Sequence, residues 1–142
     1  MTITQSRAEF ESEAVTHLPV TRSAVARGLN LARLFAETAA LSPDEGDHLA
    51  LIVEEWLNNV IEHACAPSNG RIFMRLRRSP GRIQIVATDG GKAFDPRQVT
   101  FQGPNTERGG GAGLVLIQAW CQIADYCRVR GRNRLVFEMS VA

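Results

Sequence analysis

Residues 51–64, LIVEEWLNNVIEHA, limit the folds open to this chain more than any other stretch. Val53, Trp56, Leu57, Val60 and Ala64 recur at helical spacing on one sector, which predicts an amphipathic helix packed on a core. Glu55, Asn59 and His63 stand four apart and stack in a line along the helix, with Ile52 beside them. A carboxylate, a carboxamide and an imidazole bordering a buried face cost desolvation energy unless something pairs with them. A metal ion with a polyphosphate would pair with all three; a solvated helix edge is the plain alternative. Glu54, Asn58 and Glu62 form a rival line at the same spacing, and spacing alone does not choose between the two.

The neighbouring stretches predict what this helix packs on. Ser42-Pro43-Asp44-Glu45 reads as its start, with Ser42 and Glu45 placed as a capping box and Pro43 at the first helical position. Pro67-Ser68-Asn69-Gly70 ends it. Upstream, Val25, Gly28, Ala32, Phe35 and Ala39 predict a core helix over 21–40, and the partial alternation in 7–17 predicts an edge strand. Downstream, RIFMRLR (71–77) and RIQIVAT (82–88) alternate around Ser79-Pro80-Gly81, which predicts a β-hairpin with one apolar face. A helix resumes at Leu114, and 125–130 and 134–141 read as two last strands joined through Gly131. The order implies one domain across 1–142, ordered from about residue 8: an α/β (α+β) two-layer sandwich, a mixed, mostly antiparallel sheet with helices on one face.

A length of 142 residues suits one compact domain with a real core. The net charge of +1 gives no reason to propose nucleic acid or a membrane surface as a partner. The apolar runs are too short to span a bilayer, and MTITQSRAEFESE lacks the apolar run of a signal peptide. Cys65, Cys121 and Cys127 are odd in number and lack metal-ligand spacing, as expected of reduced thiols in a cytoplasmic protein.

Two further stretches could carry chemistry. Asp89-Gly90-Gly91-Lys92-Ala93-Phe94-Asp95-Pro96 follows a strand directly. An acidic residue at a strand end can accept a hydrogen bond from an exocyclic amine, and Gly91 lets a flat ring approach the backbone; a glycine turn with Phe94 plugging the core is the plain alternative. Arg108-Gly109-Gly110-Gly111-Ala112-Gly113-Leu114 is a glycine-rich turn opening a helix, where free N–H groups and the helix dipole favour phosphate. It fits neither the Walker A pattern nor a dinucleotide fingerprint, and a hinge is the plain alternative.

Taken in order on helix, strand end and loop–helix junction, these residues resemble the GHKL ATPase superfamily with its Bergerat fold. Within it they resemble the small anti-sigma-factor serine kinases of bacterial partner-switching systems. Glu55 to Ala64 is similar to that family's N box, which settles the register on Glu55; Asp89 to Pro96 is similar to its G1 box, and Gly111 to Leu114 to its G2 box. The resemblance implies Glu55 as the base that activates a serine hydroxyl, Asn59 as the Mg²⁺ ligand, and Asp89 with Gly91 at adenine. It implies His63, Arg108, Gly109, Gly110, Gly111, Gly113 and Leu114 at the ATP phosphates, and 97–110 as the ATP lid. It also implies a STAS-type anti-anti-sigma protein as substrate, a sigma factor or other regulator as the sequestered partner, and room for a homodimer. A sequestering module that does not use nucleotide catalytically is the alternative. Two positions depart from the family pattern: Ala93 stands at a frequent glycine, and Arg132-Asn133-Arg134 replaces the threonines that help hold adenine in relatives.

Overall fold

A computed structural model describes residues 10–63, 70–98 and 111–142. Strand β1 (Ser12–Pro19) leads into helices α1 (Ser23–Thr38) and α2 (Pro43–His63). Strands β2 (Arg71–Ser79) and β3 (Arg82–Asp89) follow, then helix α3 (Gly111–Trp120) and strands β4 (Gln122–Val129) and β5 (Arg132–Ser140). The five strands form one sheet in the order β1-β2-β3-β5-β4. The sheet is the mostly antiparallel one expected, and among the described residues each pairing is antiparallel, with no parallel neighbours. The reason is topological. The α3 crossover carries the chain from β3 to β4 in the same direction, but β5 inserts between them and pairs antiparallel to both.

The capping box forms as the sequence predicts: Ser42 N–H donates to Glu45 Oε1 at 2.9 Å and Glu45 N–H to Ser42 Oγ at 3.1 Å. The Ala142 N–H also donates to Glu45 Oε2 at 2.7 Å, which ties the chain's last residue to the start of α2. These backbone hydrogen bonds, led by Ser42, hold the Glu45 carboxyl below the usual glutamate range. The β2–β3 turn uses Pro80 and Gly81, the latter at φ +80°. The β4–β5 turn puts Arg130 and Gly131 at φ +53° and +77°; two left-handed residues match the twist of a two-residue hairpin.

The core lies between the helices and one face of the sheet. Ile52, Val53, Trp56, Leu57 and Val60 of α2 meet Ile72, Met74, Leu76, Ile85, Leu135 and Phe137. On α1 the core positions are Ala24, Gly28, Ala32, Phe35 and, just past its end, Ala39. Ala24 takes the fully buried place expected for Val25, which is only partly buried. At Gly28 the two helices nearly touch: an added Cβ would lie 2.2 Å from Leu57 Cδ1. No described helix is long and apolar enough to cross a membrane.

Candidate nucleotide site

The end of β3, the middle of α2 and the start of α3 supply the residues singled out in the sequence. The α2 face that packs on the sheet leaves Glu55 and Asn59 along its border. Glu55 lies directly against the first turn of α3: a Cβ added at Gly113 would meet its Oε2 at 2.3 Å. Glycine is therefore required there if the carboxylate is to stay, whatever else Gly113 does. Burial pushes the Glu55 carboxyl above the ordinary glutamate value, and the like charges of Glu54 and Glu62 push the same way. Asn59 is 9% exposed, yet its amide makes no hydrogen bond among the described residues.

That unpartnered amide bears on the implied Mg²⁺. No group of three or more His, Cys, Asp or Glu able to hold a metal exists among the described residues. A metal here would rest on the single neutral oxygen of Asn59, with phosphate oxygens and water completing its shell, and Mg²⁺ is the ion that accepts such a set. The residues present fit the group.

On the sheet side, Asp89 is 5% exposed and turns back on its own loop, its Oδ1 accepting the Gly91 N–H at 2.9 Å. Asn133, opposite it on β5 and 3% exposed, donates from Nδ2 to the same Oδ1 at 3.1 Å and to Lys92 O at 2.8 Å. The Asn133 Oδ1 accepts from Tyr126 Oη at 2.6 Å, Arg128 Nη1 at 3.0 Å and Phe94 N at 3.3 Å. Arg128 Nη1 also donates to Gly91 O at 3.1 Å. One side chain thus fixes the carboxylate, the loop after it and the neighbouring strand. Asp89 Oδ2 takes no hydrogen bond among the described residues, so one acceptor lone-pair edge is left for a ligand amine.

Phe94 plugs the loop against the helix. Its ring stacks on Trp56 at 6.4 Å and 17°, and Trp56 in turn meets the edge of Phe137 at 5.4 Å. Trp56 Nε1 is buried without a partner among the described residues. Arg97 Nη2 pairs with Asp95 at 2.8 Å and holds that carboxyl below its usual range.

The structure sets Glu55 against Gly113 and stacks Phe94, on the loop that begins at Asp89 and Gly91, on Trp56, one turn of α2 before Asn59. Leu114 is 7% exposed and belongs to the core, so only its backbone can serve a phosphate. Gly111 is the first residue of α3. The His63 backbone ends α2, and nothing is described of its side chain. Arg108, Gly109, Gly110 and the proposed lid beyond Gln98 lie outside the described residues, as does Cys65. Burial drives the Cys121 thiol up to about 12, which makes it an inert packing group.

In the sequence Asn133 stands out only as a departure from the family's threonines, and no pattern there marks Tyr126 or Arg128. Arg128 is found only through the tight turn at Arg130-Gly131, which sets it directly opposite Asn133.

Comparison with known proteins bears on the family and the fold. Residues 14–139 match the family described as histidine kinase-like ATPase domain. The serine/threonine-protein kinase BtrW of Bordetella bronchiseptica is 30% identical over 92 residues, which span 61% of this chain and 65% of that protein. The match thus covers a little under two thirds of that relative's length. A chain of the SiaB–SiaC complex from Pseudomonas aeruginosa superimposes with a TM-score of 0.56 at 13% identity, covering 90% of this chain and 89% of that one. The histidine kinase domain of the blue-light activated histidine kinase from Erythrobacter litoralis EL346 gives 0.51 at 14% identity, covering 87% and 61%. At such identities the two solved structures share the fold.

Proposed function

The chain belongs to the histidine kinase-like ATPase family, and on that footing we propose that it is an ATP-dependent serine/threonine protein kinase of the partner-switching kind. Its substrate is a small STAS-type anti-anti-sigma protein, and it sequesters a sigma factor or another regulator. The observation that carries this reading is the Glu55 carboxylate resting against Gly113 at the opening of α3. A base belongs beside the place where phosphate meets a substrate hydroxyl, and a helix start is where phosphate is favoured.

Each residue has a role in this reading. Asp89 Oδ2 accepts the adenine amine, and Asn133 holds it aimed. Gly91, itself buried, lets the ring lie on the backbone. Asn59 would hold Mg²⁺, which draws charge from the phosphate oxygens when bound. The N–H groups from Gly111 to Leu114, with His63, Arg108, Gly109 and Gly110, receive the phosphates, and 97–110 closes as the lid. Glu55 takes the proton from the attacking serine oxygen. Asn133 also bears on the alternative of a purely sequestering module. Absence of the family's threonines speaks for that alternative, and against it the Asn133 amide supplies a hydrogen bond to Asp89.

The test is co-purification from the native host followed by phosphosite mapping of the recovered partner after incubation with ATP and Mg²⁺. A new phosphoserine or phosphothreonine is expected. A partner bound tightly and never phosphorylated would leave sequestration as the whole function.

A further inference from the structure

The sheet has a second face, and no described helix covers it. Val86 and Val136 pair across β3 and β5 on that side; they are 2% and 7% exposed, yet neither belongs to the core under the helices. Arginines neighbour them on the same face. Arg75 lies opposite Val86 in register, and Arg134 is two residues before Val136 on the same face. Elsewhere on this face the arginines have partners. Arg77 pairs with Glu13 at 2.5 Å, Arg82 with Glu138 at 3.4 Å, and Arg132 donates to Arg71 O at 2.6 Å. The side chains of Arg71, Arg75 and Arg134 make no ion pair or hydrogen bond among the described residues, and Arg75 Nε is buried without a partner. Burial and the neighbouring Arg77 and Arg134 guanidiniums hold Arg75 below its ordinary value, against the opposing pull of Glu13.

Guanidiniums crowded beside apolar floor, with acids only at the margins, form half of a charge-complementary contact. We propose that this sheet face binds an acidic, partly apolar segment of a protein partner, whose carboxylates pair with Arg75 and Arg134. Phe73, two residues before Arg75 on β2, and the exposed Val15 and Val129 offer contacts for its apolar residues. A long polyanion fits poorly, because Glu13, Glu138 and the exposed Asp125 flank the guanidiniums and the whole chain carries only +1. Asp89 and Asn133 point to the helix side of the same strands, so this segment and a nucleotide can be held together. The inference does not rest on the kinase reading, and its test needs no nucleotide.

The probe is a capped, fluorescein-labelled peptide of alternating Glu and Val, titrated with the full chain and followed by anisotropy. Binding is expected, weakening as salt is added. Arg75→Gln/Arg134→Gln, which keeps most of each stem beside the valines, should lose roughly tenfold or more in affinity. Arg22→Gln/Arg27→Gln removes the same charge from exposed sites on α1 and its N-cap and should change affinity by less than about twofold. A thermal melt of each variant separates misfolding from lost contact; Arg75→Lys, which keeps the charge, should retain part of the binding. No binding by the wild type, or an equal loss in both double variants, would overturn the proposal. So would tighter binding to phosphatidylserine vesicles or a single-stranded oligonucleotide than to the peptide at equal salt, or a dimer that Arg75→Glu dissociates.

Discussion

On the sheet side of the site, Asp89 and Asn133 are tied into the backbone of the loop and into β4 by hydrogen bonds between 2.6 and 3.3 Å. On the helix side, Asn59 is nearly buried with no partner among the described residues, and Glu55 is pushed toward protonation by burial and by two like charges. Unpaired polar groups beside a core are a cost that a folded chain keeps for a reason. The contrast teaches a division of labour. Under the proposed kinase reading, the sheet half is built in advance to recognise a flat ring by one fixed acceptor. Under the same reading, the helix half stays unsatisfied until metal, phosphate and substrate are bound.

The largest way to break the sheet half is Asp89→Asn. The amide can still accept from Gly91 and Asn133, but its second position no longer accepts from a ligand amine. Hydrogen bonds to charged groups are worth about 1.5–3 kcal/mol, so ATP affinity should fall roughly tenfold to hundredfold in calorimetry. Full affinity would remove adenine from this carboxylate. Asn133→Ala acts on stability as well. It strips partners from Asp89, Tyr126 and Arg128 at a buried point and should cost about 1–3 kcal/mol in urea unfolding. Nucleotide affinity should drop with it, because Asp89 loses its aim; a variant that binds ATP normally would make Asn133 a structural residue only.

These two residues show how differently the halves could be read from sequence. The i, i+4 line of Glu55 and Asn59, the capping box of Ser42 and Glu45, and the alternation of β2 and β3 are local patterns, and the structure holds each of them where the pattern puts it. Asp89, Lys92 and Phe94, three of the partners of Asn133, are distant in sequence, and only Tyr126 and Arg128 lie within a hairpin of it. These partners come from β3, the loop after it and β4, and meet only because β5 inserts between β3 and β4. The start of β4 was hidden for a related reason. It begins at Gln122 rather than 125, and the register shift between Ile123 and Asp125 breaks the alternation that would have marked it.

The helix half should respond to change in the opposite sense, losing activity with little loss of fold. Gly113→Ala puts a methyl where Glu55 Oε2 now lies, and the carboxylate, at the end of a flexible side chain, can move aside. Stability should change by less than about 1 kcal/mol, while phosphoryl transfer to the partner falls severalfold or more. Normal transfer would show that Glu55 does not act from this position. A smaller effect concerns pH. The folded state disfavours ionised Glu55, so wild type is handicapped above its raised value and not below the ordinary glutamate value. Glu55→Gln should therefore be the more stable protein near about pH 7, and the gap should close toward about pH 4. A gap that persists in acid would assign the difference to packing rather than charge.

The division of labour is tested most directly by one paired measurement on Glu55→Gln: transfer rate to the co-purified partner and ATP affinity, on the same sample. Removing a general base usually costs about a hundredfold or more in rate. The account predicts a loss of that size with ATP affinity within about twofold of wild type, since Asp89, Asn133 and Asn59 are untouched. Undiminished transfer, or a loss of ATP binding equal to the loss of transfer, would contradict it.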